Sequence, residues 1–161
     1  MNKFGSIKEI KLVLFDLEGV LLNKNEDHDL ESLKNIAAAL KSLCEQIKVF
    51  NARGGIVTAS DDENLLKEFR AIPTCEILTS TIDKVSLVDK LKEKLGIEYK
   101  NIFYIGDDLL DIPLLMKVGF SAAPKGSRRE VKRIVNHVCP AEGGIQLLED
   151  IGKLFVQSYS E

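Results

Sequence analysis

Residues 12–20 read LVLFDLEGV, a short apolar run that ends in the carboxylate of Asp16. Residues 102–113 repeat this design as IFYIGDDLLDIP, in which Asp107 and Asp108 follow the apolar run. Short, continuous apolar runs are typical of strands buried in a parallel sheet. Because the carboxyl ends of parallel strands meet at one crevice, we expect Asp16 and Asp107 to lie close together although they are far apart in the chain.

The rest of the chain alternates short apolar runs with longer amphipathic stretches, which is typical of βα units. Strands are predicted over six ranges: 10–17, 55–58, 75–78, 102–105, 120–123 and 136–139. Helices are predicted to begin after six residues, several of which can cap a helix: Asp29, Asp62, Ile82, Asp108, Ser127 and Gly143. The pattern predicts an α/β fold, a three-layer, Rossmann-like single domain over residues 1–161 with a central parallel sheet.

One predicted helix is unusually long. From Leu30 the apolar residues keep a helical spacing as far as Phe50, and Gly54 and Gly55 are predicted to end the helix. The alternative makes residues 47–50 a strand, which their β propensity allows. The periodicity favours the long helix over the strand.

The composition argues against several classes of partner. The chain has 22 basic and 25 acidic side chains, and this net charge of −3 argues against binding to nucleic acid or to a membrane surface. Cys44, Cys75 and Cys139 are odd in number and widely spaced, as expected for reduced cysteines inside a cell. Residues 1–10 lack the apolar run of a signal peptide or membrane span. We therefore expect a cytoplasmic protein.

Several polar residues stand at predicted strand and helix ends. Asp16 could attack phosphorus as a nucleophile, and Gly19 would let the chain turn so that backbone N–H groups face an anion. Thr58 would offer a hydroxyl group, and Lys84 a positive charge, to a phosphoryl group. Taken singly, each of these residues also has an ordinary explanation as a turn, cap or surface residue.

The acidic residues of the second motif predict a metal site. Asp107 together with Asp16 would supply the oxygen ligands that Mg²⁺ prefers. Asp108 and Asp111 also resemble a helix N-cap with an acidic partner in the first turn. Both roles are compatible, since Asp108 would cap the helix and orient the ligands while Asp111 supports them from behind.

The order of these residues, an acid, a hydroxyl, a lysine and an acid pair, resembles that of the haloacid dehalogenase-like phosphohydrolases. The similarity extends over residues 10–148 and is greatest with the small phosphatases of 3-deoxy-D-manno-octulosonate 8-phosphate and with the phosphatase-like domain of CMP-sialate synthetases. Its most diagnostic part is residues 104–113, YIGDDLLDIP. The resemblance implies a phosphatase without a large cap domain, whose substrate is a small phosphorylated metabolite such as an acidic sugar phosphate.

The resemblance also implies a catalytic role for four of the candidate residues. Asp16 would be the nucleophile that forms an aspartyl-phosphate, and Glu18 would take the position of the general acid and base. Thr58 and Lys84 would bind the phosphoryl group of the substrate.

The same resemblance implies Mg²⁺ as the cofactor and a homo-oligomer as the assembly. The metal ligands would be Asp16, Asp107 and the backbone carbonyl of Glu18, with Asp108 and Asp111 behind them. The family tends to form homotetramers in which a neighbouring subunit completes each active site, so the resemblance implies an oligomer of this kind.

Two features depart from the family pattern. Glu18 stands where the family has aspartate, and one extra methylene moves a carboxyl group by about 1 Å, which can slow catalysis on the order of a hundredfold. Residues 23–29 replace a glycine-containing β-hairpin flap. These departures motivate an alternative function, a weakly active or inactive domain used for oligomerisation or regulation.

Two further hypotheses carry less weight. A phospho-acceptor signalling domain also uses acids, a hydroxyl and a lysine at strand ends, but the acid pair comes too late in this chain. A basic cluster after the fifth predicted strand could bind an anionic sugar, although a solvated helix face is the more common explanation. The cluster consists of Lys125, Arg128, Arg129, Lys132 and Arg133.

Overall fold

The computed structural model describes residues 5–24, 26–79 and 83–160 of the protein. These residues form a six-stranded parallel sheet in the order β3-β2-β1-β4-β5-β6. The strands are β1 (Leu12–Phe15), β2 (Arg53–Val57), β3 (Glu76–Leu78), β4 (Ile102–Ile105), β5 (Phe120–Ala123) and β6 (His137–Val138). Five lie within the predicted ranges, β2 begins two residues before its predicted range, and the predicted fold class is confirmed.

Six α-helices connect or flank these strands in the described part of the chain. They are α1 (Leu30–Lys48), α2 (Glu63–Arg70), α3 (Lys84–Leu95), α4 (Ile112–Lys117), α5 (Arg129–Ile134) and α6 (Gly144–Tyr159). The helix predicted after Asp108 begins with a 3-10 turn, Leu109–Asp111, before α4. Ile82, after which a helix was predicted, lies outside the described ranges, and α3 begins at Lys84 with Asp83 as its N-cap.

The sheet is apolar on both faces because successive side chains of a strand point to opposite sides. Val13 and Phe15 pack with apolar residues of α1, α2 and α6 on one face. Leu12 and Leu14 pack with α3, α4 and α5 on the other face. This two-sided burial explains why the strands read as continuous apolar runs rather than as alternating patterns.

The strand order places a crevice between β1 and β4. From β1 the chain continues to β2 and β3 on one side of the sheet, then returns to β4, β5 and β6 on the other. Ligands of open α/β sheets bind at such a reversal point, beyond the carboxyl ends of the strands. Asp16 follows β1 and Asp107 lies two residues beyond β4, so both residues stand at this crevice.

Helix α1 is shorter than predicted. Asn51 adopts a left-handed backbone conformation with a φ of 63°, and the backbone N–H of Ala52 donates to the carbonyl of Ile47 at 3.1 Å. This arrangement closes a helix end in the manner of a Schellman motif. The helix therefore ends at Lys48, and the alternative strand over residues 47–50 is also wrong, since Ile47 and Lys48 are helical.

Gly54 and Gly55 do not end the helix but lie inside β2. A Cβ atom on Gly54 would come within 2.7 Å of the Cys44 Sγ atom of α1. A Cβ atom on Gly55 would come within 2.7 Å of the carbonyl oxygen of Glu76 in β3. The two glycines are needed because a helix and a neighbouring strand approach β2 closely.

None of the described helices combines the length and the apolar character that a bilayer crossing requires.

The packing of α1 on the sheet is testable at Leu40, which is fully buried in the same core as residues of α6. We expect Leu40→Ala to lower the free energy of unfolding by about 2–5 kcal/mol because it leaves a cavity. The neighbouring Lys41 is exposed, so Lys41→Ala is a matched control that should change the value by less than about 0.5 kcal/mol. Equal effects of both substitutions in urea unfolding would contradict this packing.

Candidate active site

Three carboxylates converge at the crevice between β1 and β4. Phe15 pairs with Ile105 in the sheet, and the backbone N–H of Asp16 donates to the Ile105 carbonyl at 3.0 Å. One carboxylate oxygen each of Asp16, Asp107 and Asp111 lies within 4.8 Å of the others. All three residues are buried, so their mutual repulsion is poorly screened by water.

A buried lysine lies among these carboxylates. The Nζ atom of Lys84 is 3.0 Å from Oδ1 of Asp16 and 2.6 Å from Oδ1 of Asp111, and it donates to the Tyr104 hydroxyl at 3.1 Å. Lys84 is only 6% exposed, although it is the first residue of α3. Its ammonium group therefore serves the acidic cluster and is not the solvated surface charge that a lysine near a helix start usually provides.

Asp111 is held on both of its carboxylate oxygens. Oδ1 accepts hydrogen bonds from Lys84 and from the Tyr104 hydroxyl, each at 2.6 Å. Oδ2 accepts from the backbone N–H groups of Asp107 at 3.0 Å and Asp108 at 3.2 Å. Four donors leave Asp111 little capacity for a direct metal bond, so it is better suited to orienting the other residues.

Asp107 differs from Asp111 because one of its oxygens lacks a donor. Its Oδ1 atom is buried and has no hydrogen-bond partner among the residues that the structure describes. A buried carboxylate oxygen without a partner is costly. With Asp16 close by, this oxygen fits a hard dication such as Mg²⁺, which prefers carboxylate, carbonyl and water ligands.

The pKa values of the cluster reflect burial first and the neighbouring charges second. Burial raises the pKa of Asp16 to about 8, and the neighbouring Asp111 adds to the effect while Lys84 opposes it. Burial also raises the pKa of Asp107, against the opposing effect of Lys24. For Asp111, burial would raise the pKa, but Lys84 and the other donors hold it below the ordinary value. A bound dication would supply the positive charge that the cluster lacks.

The remaining predicted site residues lie in the segments that directly follow β1 and β2. Thr58 directly follows β2 and is buried, and its Oγ1 atom accepts from the backbone N–H of Ser60 at 3.1 Å. The Glu18 side chain is exposed. Gly19 has a φ of 90°, and a Cβ atom there would lie 2.1 Å from Oδ2 of Asp107. This turn therefore requires glycine because the chain passes directly against an acid of the cluster.

Sequence reasoning missed two side chains of the site, Tyr104 and Lys24. The position of Tyr104 in a buried strand was a usable signal, because a buried tyrosine hydroxyl normally needs a hydrogen-bond partner. Lys24 lies 3.1 Å from Oδ2 of Asp107 and 2.8 Å from Oδ2 of Asp108. No spacing pattern in the sequence predicts this contact.

Asp108 also accepts a hydrogen bond from the backbone N–H of Leu109 at 2.7 Å and so caps the 3-10 turn, as predicted.

A cavity of about 820 Å³ opens beside Asp107. Its walls come from the loop after β1, the start of α1 and the turns after β5 and β6, and they include Gly19, Lys24 and Ser127. The described part of residues 23–29, the segment that replaces the flap, helps to line it.

The basic cluster begins close to the site, since the backbone N–H of Arg128 donates to the Asp107 carbonyl at 3.3 Å. All five side chains of the basic cluster at residues 125–133 are exposed.

Comparisons with known proteins find similar sequences. The family model of haloacid dehalogenase-like hydrolases matches residues 69–144. The sequence resembles 3-deoxy-D-manno-octulosonate 8-phosphate phosphatase KdsC from Haemophilus influenzae, with 22% identity over 94% of this chain and 86% of the relative. The enzyme of the same name from Escherichia coli K12 is 30% identical over 72% of this chain. That alignment spans 63% of the length of the Escherichia coli relative.

Solved structures share the fold. The phosphatase of this name from Moraxella catarrhalis, solved with magnesium, phosphate and KDO, has a TM-score of 0.82 at 21% identity, covering 97% of this chain and 91% of that one. The cobalt-bound Haemophilus influenzae enzyme has a TM-score of 0.82 at 19% identity, covering 96% and 92%. Together with the family model over residues 69–144, these similarities confirm the resemblance to the haloacid dehalogenase-like hydrolases.

The raised pKa of Asp16 predicts a pH dependence of stability in the metal-free protein. The Asp16 carboxyl group retains its proton up to about pH 8 in the folded state, whereas its ordinary pKa is 3.8. The stability that this group contributes is therefore complete below the lower value and is lost as the pH rises through the upper one. Urea unfolding in EDTA should show the advantage of the wild type over Asp16→Asn shrinking from pH 5 to pH 8. A stability difference between the two proteins that stays constant with pH would contradict the raised pKa of Asp16.

Proposed function

We propose that this chain is a Mg²⁺-dependent phosphoric monoester hydrolase that acts on a small phosphorylated sugar through an aspartyl-phosphate at Asp16. The observation that carries the proposal is the buried cluster at the crevice between β1 and β4, in which Asp16 and Asp107 lie close together beside Lys84. The relatives that resemble this chain are phosphatases of 3-deoxy-D-manno-octulosonate 8-phosphate, which supports the same reaction class.

The residues present fit the cofactor. Asp16, Asp107 and the carbonyl of Glu18 would hold Mg²⁺, which, when bound, offsets the repulsion between an attacking carboxylate and a phosphoryl group. Lys84 fixes the Asp16 carboxylate through Oδ1 at 3.0 Å. Lys84 and the Thr58 hydroxyl would also bind phosphoryl oxygens and stabilise the charge of the transition state.

The reaction has two steps in this proposal. A carboxylate oxygen of Asp16 forms a bond to phosphorus while the bond from phosphorus to the ester oxygen breaks, and protonated Glu18 gives its proton to the departing oxygen. Glu18 then takes a proton from water as the water oxygen bonds to phosphorus. The bond from phosphorus to Asp16 breaks, which releases inorganic phosphate and restores the carboxylate.

We further propose that the substrate is an acidic sugar phosphate. The name of the relatives points to such a compound, and the exposed Arg128 stands close to Asp107 through its backbone hydrogen bond. The cavity of about 820 Å³ beside Asp107 offers room for a sugar. A homo-oligomer, and in particular a tetramer, stays a prediction that mass measurement in solution tests.

A second candidate function follows from Glu18. Its longer side chain is exposed at the position of the family's acid and base, which favours a slow enzyme or a domain kept for regulation or oligomerisation. The two candidates differ in whether the Asp16 carboxylate turns over substrate, so substitutions at positions 16 and 18 separate them.

Asp16→Asn tests the nucleophile. We expect phosphate release from sugar phosphates to fall more than about a thousandfold, because an amide cannot form the acyl phosphate. The exposed Asp61 provides a matched control, and Asp61→Asn should retain activity. Circular dichroism would verify that both variants fold. Turnover that persists in Asp16→Asn would contradict the mechanism.

Glu18→Asp tests the acid and base. Shortening the side chain restores the family's reach, so turnover should rise by up to about a hundredfold. The comparison uses a panel of neutral and acidic sugar phosphates with Mg²⁺ and with EDTA. No hydrolysis by either the wild type or this variant would support the regulatory domain instead.

A further inference from the structure

Lys24 contacts the acidic cluster from the loop that follows β1. Its Nζ atom lies 3.1 Å from Oδ2 of Asp107 and 2.8 Å from Oδ2 of Asp108. The lysine side chain is 42% exposed, whereas that of Asp107 is 11% exposed. The contact therefore joins a long, partly solvated lysine side chain to a carboxylate that is shielded from water. Water screens this contact less than it screens a surface ion pair, because Asp107 belongs to the buried cluster.

The two oxygens of Asp107 have different surroundings. Oδ2 accepts the Lys24 ammonium, while Oδ1 is buried and lacks a partner among the described residues. Gly19 allows this arrangement, since a Cβ atom there would lie 2.1 Å from Oδ2 of Asp107 and 2.7 Å from Cε of Lys24. The loop is thus shaped so that an ammonium group reaches a carboxylate assigned above to the metal.

A dication held by Asp107 would be a close neighbour of this ammonium group, and like charges at such range repel each other. Lys24 has a second acceptor farther out, since the side chain of Asp108 is 38% exposed. It can therefore release Asp107 and remain paired with Asp108. A solvated lysine is free to make this shift, whereas the buried Lys84 is not.

We propose that Lys24 is a built-in competitor of the cation: its ammonium neutralises Asp107 in the metal-free protein and is displaced from Asp107 when Mg²⁺ binds. This inference rests on the proposed metal site. Because Lys24 and Gly19 both line the cavity beside Asp107, metal binding would also move a wall of that cavity. Metal occupancy and the shape of the proposed substrate site are then coupled.

Calorimetric titration of Mg²⁺ into the metal-free protein tests the competition. Lys24→Met should bind Mg²⁺ about tenfold more tightly than the wild type, a coupling of ordinary size between two sites. Lys34→Met, at an exposed position on α1 that does not line the cavity, removes the same charge and should leave the affinity within about twofold, as expected for a charge that solvent and salt screen. Unchanged or weaker binding by Lys24→Met would overturn the proposal.

Thermal unfolding gives a second readout that a purely structural lysine would not produce. In EDTA, Lys24→Met should melt at a lower temperature than the wild type, because Asp107 and Asp108 lose their partner. At saturating Mg²⁺ the deficit should vanish or reverse, since the cation replaces the ammonium. An equal deficit in both conditions would overturn the competition. Absence of Mg²⁺ binding by the wild type would instead refute the metal site itself, together with this inference.

Discussion

Repulsion among three buried carboxylates is the constraint that the site has to satisfy. Asp16, Asp107 and Asp111 are brought together by the parallel sheet, and each is shielded from water. The fold answers with Lys84, the Tyr104 hydroxyl and the backbone N–H groups that precede α4. These donors satisfy Asp111 fully but leave Asp107 with a bare oxygen. The remaining negative charge is what makes the crevice suited to a dication and then to a phosphorylated compound.

Local patterns were sufficient for the sheet and for the convergence of the acids. A strand buried on both faces must be apolar throughout, so the runs before Asp16 and Asp107 could be recognised without knowledge of the fold. The end of α1 could not be read in this way. Glycines such as Gly54 and Gly55 commonly end helices, but here they are needed because β2 lies close to Cys44 and Glu76. Such contacts join distant segments and leave no mark on local periodicity.

The same distinction holds within the site. Residues at strand ends could be named from the sequence because topology fixes where their backbones lie. The contact between Lys24 and Asp108 joins residues 84 positions apart through a long side chain, and it depends on the path of an irregular loop. Asp111 was expected behind the metal ligands, but its four hydrogen bonds could not be counted in advance. Side-chain reach and the satisfaction of polar groups emerge only once the chain is folded.

The position of Lys84 at the start of α3 restricts how this protein can diverge. A positive charge is unfavourable at a helix N-terminus, where the helix dipole is also positive, and this one is buried. It is tolerated because Asp16 and Asp111 surround it. A descendant that lost both acids would inherit an uncompensated internal cation. Loss of both acids during evolution would therefore require the replacement of Lys84 as well, which gives any decayed copy a recognisable pattern of correlated charge loss.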